Sequence, residues 1–227
     1  MIPDRAVFIV ADGMGGHAAG EVASEMAVRI IADELGDTAV LDDVAASERM
    51  RQAIRLANAT IFERTLTEHD KRGMGTTATT LVLSGRRYLI GQVGDSRAYL
   101  LRDGELVQLT KDHSYVQEQV DAGYLSAEDA RTHPYSNVIT RCVGANDDVA
   151  PDTYIGSLRP GDLFVLASDG LTGMIDDPRL HQLLRSSPEP QVLADALVAE
   201  ANRVGGLDNI TVIVVRIDRV EGDGGTP

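Results

Sequence analysis

The sequence predicts an α+β fold in which packed antiparallel sheets are covered by helices. Two long stretches near the amino terminus repeat apolar residues at helical spacing. Four runs rich in β-branched and apolar residues then follow one another between 76 and 110, joined by short turns. The order of elements is strand, two helices, four strands, a mixed segment, strand, two helices, strand. It lacks the strict strand–helix alternation of a doubly wound parallel sheet.

Residues 6–11 (AVFIVA) read as a buried strand. Residues 21–35 read as a helix with Val22, Met26, Ile30 and Ile31 on one stripe. Residues 46–67 read as a second helix, with Met50, Ile54, Ala57 and Ile61 at steps of four, three and four. The period then changes. TTATTLVLS (76–84) and RRYLIGQVG (86–94) flank Gly85 as the arms of a tight hairpin. SRAYLLRDGELVQLT (96–110) is a second hairpin, whose Asp103-Gly104 pair suits a two-residue turn with positive φ. The four runs together are expected to form an antiparallel sheet.

Residues 111–150 mix charges, histidines, Pro134 and short helical pieces at 114–122 and 126–131, as an insertion or lid would. DLFVLAS (162–168) resumes the strand pattern. Asp177 is the expected N-cap of a helix with Pro178 at its first position. A last helix covers 190–204 and stops at Gly205-Gly206, and NITVIVVRI (209–217) is the final strand. The polar, glycine-rich tail at 221–227 reads as disordered or as part of a linker.

A chain of 227 residues suffices for one large domain, expected over 1–220. The formal net charge of −14 argues against wrapping nucleic acid or anionic membrane. The single cysteine, Cys142, precludes an internal disulfide and a thiolate metal cluster, and fits a reducing cytoplasm. No apolar stretch approaches the roughly 20 residues that span a bilayer, and MIPDRAV at the start does not read as a signal peptide. A cytoplasmic monomer is expected.

FIVADGMGGHAAGE (8–21) is an apolar run that stops at a glycine-rich loop. Gly13-x-Gly15-x-x-Ala18 approaches the pattern that cradles a dinucleotide pyrophosphate. Asp12, just before the first glycine, would repel a phosphate unless a cation stood between them. The second parallel strand that a dinucleotide fold requires has only TAVLDD (38–43) as a candidate, short and preceded by one helix. The Asp-Gly design recurs at Asp169-Gly170, after FVLAS. Asp208 stands before the last strand, and Asp95 follows YLIGQVG.

Any one of these aspartates reads equally as a turn residue. Together, at the ends of apolar strands, they can converge on one rim, where they repel or share cations. Oxygen ligands without a nearby Cys or His pair favour Mg²⁺ or Mn²⁺ over zinc. Two such ions can activate a water at neutral pH.

VADGMGGHAAGEVAS (10–24), GMGTTATTLVL (73–83), GDSRAYLL (94–101), LTKDHS (109–114), SDGL (168–171) and GGLDNITVIVV (205–215) occur in that order. The set resembles the metal-dependent protein phosphatases of the PPM, or type 2C, family, in particular the bacterial members that oppose Ser/Thr kinases. The resemblance runs from about residue 7 to 217. It implies a four-layer α-β-β-α sandwich that hydrolyses phosphoserine and phosphothreonine in proteins through a water bridging two Mn²⁺ or Mg²⁺ ions. The partners it implies are phosphorylated proteins and a cognate kinase. It also implies that Asp12 bridges two metals, that Gly13 lends its carbonyl, and that Asp169 and Asp208 complete the core site. Asp95 would ligate a third, weaker metal, and residues 113–150 would form a flap beside the site.

His17 lies five residues past Asp12 in the same loop. It reads either as a general acid for the leaving alkoxide or as a loop histidine bonded to backbone or water. His113 and His133 read as surface or packing residues. The family also carries an amino-terminal strand with a phosphate-gripping arginine and a Glu-Asp pair. Here eleven residues precede Asp12 with no R-x-x-N-E-D pattern, and Asp4 and Arg5 read as a charged strand entrance. Truncation, a mis-set start and a natural variant would each produce this. The lack of a bidentate phosphate clamp motivates an alternative, a weakened or inactive phosphatase-fold regulatory protein. A lost first strand would also leave a sheet edge open.

Overall fold

The computed structural model describes residues 5–15, 17–36 and 43–220. The expectations for TAVLDD and for the tail at 221–227 fall almost wholly outside them. Strand β1 (Arg5–Val10) leads through the short β2 (Gly13–Met14) into helix α1 (His17–Gly36), followed by α2 (Asp43–Thr67). A two-residue β3 (Gly75–Thr76) pairs with β2. Then come β4 (Ala78–Ser84), β5 (Arg87–Val93), β6 (Arg97–Arg102) and β7 (Glu105–Gln108). The flap segment carries α3 (Tyr115–Asp121) and α4 (Ala127–Thr132). Last are β8 (Asp152–Ser157), β9 (Leu163–Ala167), α5 (Asp169–Thr172), α6 (Asp177–Leu184), α7 (Pro190–Val204) and β10 (Val212–Arg216).

Two four-stranded antiparallel sheets form, in the orders β1-β4-β5-β8 and β10-β9-β6-β7. Period-two burial explains why they stack. Leu81 of β4 and Ile90 of β5 face Ala98, Leu100, Phe164 and Leu166 of the second sheet. The Tyr88 and Phe164 rings meet edge to face at 5.1 Å across this layer. The alternate residues, Ala78, Val82, Leu89 and Val93, pack under Ala27, Ile31, Met50, Ile54 and Ile61 of α1 and α2. On the far side, Tyr99, Val165 and Ala167 pack under Leu171, Leu180, Leu193 and Leu197 of α5, α6 and α7. The result is the four-layer α-β-β-α sandwich.

Several sequence expectations need correction. The two hairpins do not share a sheet: β4–β5 lies in one and β6–β7 in the other. The chain changes sheets at Gly94, whose φ of +102° a side chain would strain, and Asp95 sits at that crossing. Strand β8 was not anticipated. It is a half-buried edge strand whose pattern is broken by Gly156, where a Cβ would meet the Tyr88 ring at 2.3 Å. Helix α1 starts four residues early because Gly20 lies inside it. A Cβ on Gly13 would stand 2.0 Å from the Gly20 carbonyl, so the pair lets the helix press backbone to backbone on the loop. The N-cap of α6 is Asp176, which accepts from the Arg179 N–H, with Asp177 as the first helical residue.

The Asp103-Gly104 turn has both φ values positive, 52° and 85°, as the sequence requires. Strands β1 and β10 are the edges of their sheets on the same side of the sandwich and touch across it. The outer edge of β1 has no strand partner among the described residues.

Candidate metal centre

Four of the predicted aspartates come together at one rim. Asp12 leaves β1 with its backbone fixed: its N–H donates to Thr77 Oγ1 at 2.8 Å. Its carbonyl accepts from the Thr77 N–H at 2.8 Å and from Thr76 Oγ1 at 2.9 Å. Thr77 Oγ1 also meets Ser96 Oγ at 2.8 Å, which ties the Asp12 loop to the Asp95 crossing. Asp169 opens α5 directly after β9. Gly170 lets that turn approach the Asp208 loop, since a Cβ there would lie 2.1 Å from the Asn209 carbonyl. The Ser168 N–H donates to Thr211 O at 3.0 Å, and the Thr211 N–H donates to Ser168 Oγ at 3.1 Å.

The Asp95 crossing is clamped by His113. Its backbone N–H donates to Gly94 O at 2.8 Å, and its Nδ1 accepts from the Gly94 N–H at 3.2 Å. Nε2 therefore carries the proton and donates to Asp152 Oδ2 at 3.1 Å. Burial lowers the His113 pKa and favours this neutral form. His113 is thus not a surface residue: it is 2% exposed, at the root of the flap. His133 packs as expected, with its ring 6.1 Å from Tyr115 and 5.6 Å from Tyr135. His17 begins α1, and its side chain lies outside what the structure describes.

The carboxylates are crowded and unneutralised. Burial first, then the Asp169 charge and a hydrogen bond shared with Asp169, then Asp208 and Asp95, push the Asp12 pKa up to about 7. Burial, then the charges of Asp169 and Asp112, push Asp95 up to about 7 against the pull of Arg97. Asp169 Oδ1 is buried and has no hydrogen-bond partner. An orphaned buried carboxylate oxygen among like charges is costly unless a cation meets it. Among the described residues, no three His, Cys, Asp or Glu side chains are grouped closely enough to hold a metal ion between them. The donors are all oxygen, and Cys142 lies apart, against Gly75. The set suits hard divalent cations, Mg²⁺ or Mn²⁺.

Asp95, Asp169 and Asp208 line one end of a cleft of about 500 Å³, and α3 and α4 of the flap form its other wall through Val116, Ala130 and Arg131. Arg97 and Asp112, which sequence reasoning did not single out, also line it. Arg97 grips both Asp112 oxygens at 2.7–3.0 Å. Both residues fall within the quoted motifs GDSRAYLL and LTKDHS, which was the available signal.

The family model for Protein phosphatase 2C matches residues 2–199. The chain belongs to the protein phosphatase 2C family. "Serine/threonine phosphatase stp" of Listeria monocytogenes is 41% identical over 216 residues, covering 95% of this chain and 86% of that protein. "Serine/threonine protein phosphatase PstP" of Mycobacterium tuberculosis is 41% identical over 208 residues, covering 92% of this chain and 40% of that protein. The crystal structure of the M. tuberculosis phosphatase PstP/Ppp superposes with a TM-score of 0.87 at 38% identity, covering 95% of this chain and 92% of that one. A structure of the PstP catalytic domain in complex with two manganese ions superposes with a TM-score of 0.84 at 37% identity, covering 95% of this chain and 92% of that one.

Proposed function

We propose that the chain is a metal-dependent protein phosphatase acting on phosphoserine and phosphothreonine, with its reaction centre at the aspartate rim. The observation that carries this is the convergence of Asp12, Asp95, Asp169 and Asp208 at strand ends, with a buried Asp169 oxygen left without a donor. When bound, Mn²⁺ or Mg²⁺ ions supply an activated water for in-line attack on phosphorus and neutralise the charge that develops there.

The residues of the chain do the rest. Asp12, Asp169 and Asp208 hold the ions, with the Gly13 carbonyl beside Asp12. Asp95 serves a further, weaker ion. The Thr76, Thr77 and Ser96 bonds keep the Asp12 and Asp95 loops in fixed relation, so little reorganisation accompanies binding. The bidentate Asp112 grip holds Arg97 against the cleft wall. His17, five residues past Asp12 at the first position of α1, is assigned the protonation of the leaving alkoxide.

The partners of this reading are phosphoproteins and the Ser/Thr kinase that forms them. Among the described residues no helix is long and apolar enough to cross a membrane. A monomer in the cytoplasm is the accompanying assignment, and the unpaired Cys142 fits a reducing compartment.

The test is phosphate release from a phosphothreonine peptide and from p-nitrophenyl phosphate, with Mn²⁺, with EDTA, and with Mn²⁺ restored. Turnover is expected only with metal and should return on reconstitution. A folded protein that binds Mn²⁺ by calorimetry yet releases no phosphate from either substrate would overturn the assignment.

A further inference from the structure

Two cations line the cleft, Arg97 and Arg131. Arg97 is spent. Its Nε and Nη2 meet Asp112 at 3.0 and 2.7 Å, and its Nη1 meets the Tyr99 hydroxyl at 3.0 Å. Arg131, on helix α4 of the flap, is not. One bond fixes it, from Nη2 to the Thr172 carbonyl at 3.3 Å, and no carboxylate among the described residues pairs with it. Asp129, two residues before it on the same helix and so on a different face, is engaged by Ser126. A guanidinium has five donors in a planar fork that suits a carboxylate. Arg131 lines the cleft and is exposed, so most of that capacity is open to a ligand there.

Its position sets what it can reach. Thr172 closes helix α5, and Asp169 opens it. Three rises of about 1.5 Å along α5, plus the 3.3 Å bond to Thr172 O, put the Arg131 Nη2 roughly 8 Å from the Asp169 backbone. An extended peptide advances about 3.3–3.6 Å per residue. A phosphoresidue held at the aspartate rim would thus carry its second or third neighbour past Arg131. We infer that Arg131 is a specificity-determining residue that reads an acidic side chain, Asp or Glu, two or three positions from the phosphorylated residue of a peptide substrate. This rests on the phosphatase reading of the same cleft.

The experiment compares phosphothreonine peptides carrying Glu, Gln or Lys at the second and third positions on either side. In the wild-type protein with Mn²⁺, kcat/KM for Glu should exceed that for Gln at least fivefold at one of these positions, through KM. The ratio should fall to about one in Arg131→Gln and invert in favour of Lys in Arg131→Glu. Binding of the same peptides with a non-hydrolysable phosphonate, read by fluorescence anisotropy, should show the same ratios.

If Arg131 only latches the flap to α5, Arg131→Gln lowers all peptides alike and leaves the ratio intact, which overturns the inference. So does a wild-type protein indifferent to the flanking charge. Charge-selective binding that vanishes in Arg131→Gln without any turnover upholds the inference and instead refutes the phosphatase reading.

Discussion

Strand β9 carries an aspartate at each end, and the two have opposite surroundings. Asp162 precedes it, 1% exposed and saturated: Arg102 donates to both its oxygens at 2.7 Å, and the Arg159 N–H adds a third bond at 2.8 Å. Asp169 follows it, with Oδ1 buried and unpartnered, beside the charges of Asp12 and Asp95. In the sequence they look alike, Gly161-Asp162 and Asp169-Gly170 flanking LFVLA. Burial does not separate a structural carboxylate from a reserved one. The supply of donors does. Asp162, which completes the fold, is surrounded by N–H groups, while Asp169, a cation ligand in the proposed function, stands among other carboxylates.

Breaking each end should produce opposite losses. In the proposed function, Asp169→Asn removes a cation ligand and one charge from a repelling group. Its kcat/KM on a phosphothreonine peptide should fall at least a thousandfold, about 4 kcal/mol of transition-state stabilisation. The melting temperature in EDTA should hold or rise. A parallel fall in melting temperature would show that Asp169 supports the fold as Asp162 does. Asp162→Asn should do the reverse, leaving the Arg102 guanidinium half-buried without its counter-charge. Urea unfolding should show a loss of about 3 kcal/mol, the low end for a broken buried pair because Arg102 keeps some water. Activity of the folded fraction should persist, and a loss of activity without a loss of stability would erase the distinction.

Much of this rim was legible in the sequence because its signal is local. An apolar run that ends at Asp-Gly marks a strand end, and Asp12 and Asp169 at such ends, with Asp95 and Asp208 beside other strands, pointed to one place. The Gly205-Gly206 stop and the Asp103-Gly104 turn were legible for the same reason. What escaped depends on long-range partners. The division of two consecutive hairpins between sheets is decided by which faces bury Leu81 and Leu100, not by the turn residues. His113 looked peripheral because its partners, Gly94 and Asp152, stand 19 and 39 residues away. Arg131 carried no signal at all, since a charge on a short polar helix reads as solvated until the cleft beneath it is seen.

The smallest predicted effect sharpens the comparison through pH. Asp12 and Asp95 are pushed up to about 7 in the folded protein from an ordinary value of 3.8. Between these values the metal-free native state binds more protons than the unfolded chain, so its stability falls as pH rises. Glu200, held down to about 2 by Arg203 and Arg179, is already ionised above pH 6 and adds no slope there. His113 opposes the trend, because its lowered pKa means that the unfolded chain takes up the proton first as pH falls below about 6.5. It is one group against two. In EDTA, the melting temperature should therefore drop between pH 6 and pH 8, by about 2–4 °C for each kcal/mol lost in a chain of this size. Asp12→Asn should flatten that drop. Saturating Mn²⁺ should reverse it, since cations bind the deprotonated carboxylates and their binding free energy grows with pH. A metal-free protein whose stability is level from pH 6 to pH 8 would mean that the rim carboxylates have found donors after all, and that Asp169 and Asp162 differ less than their surroundings indicate.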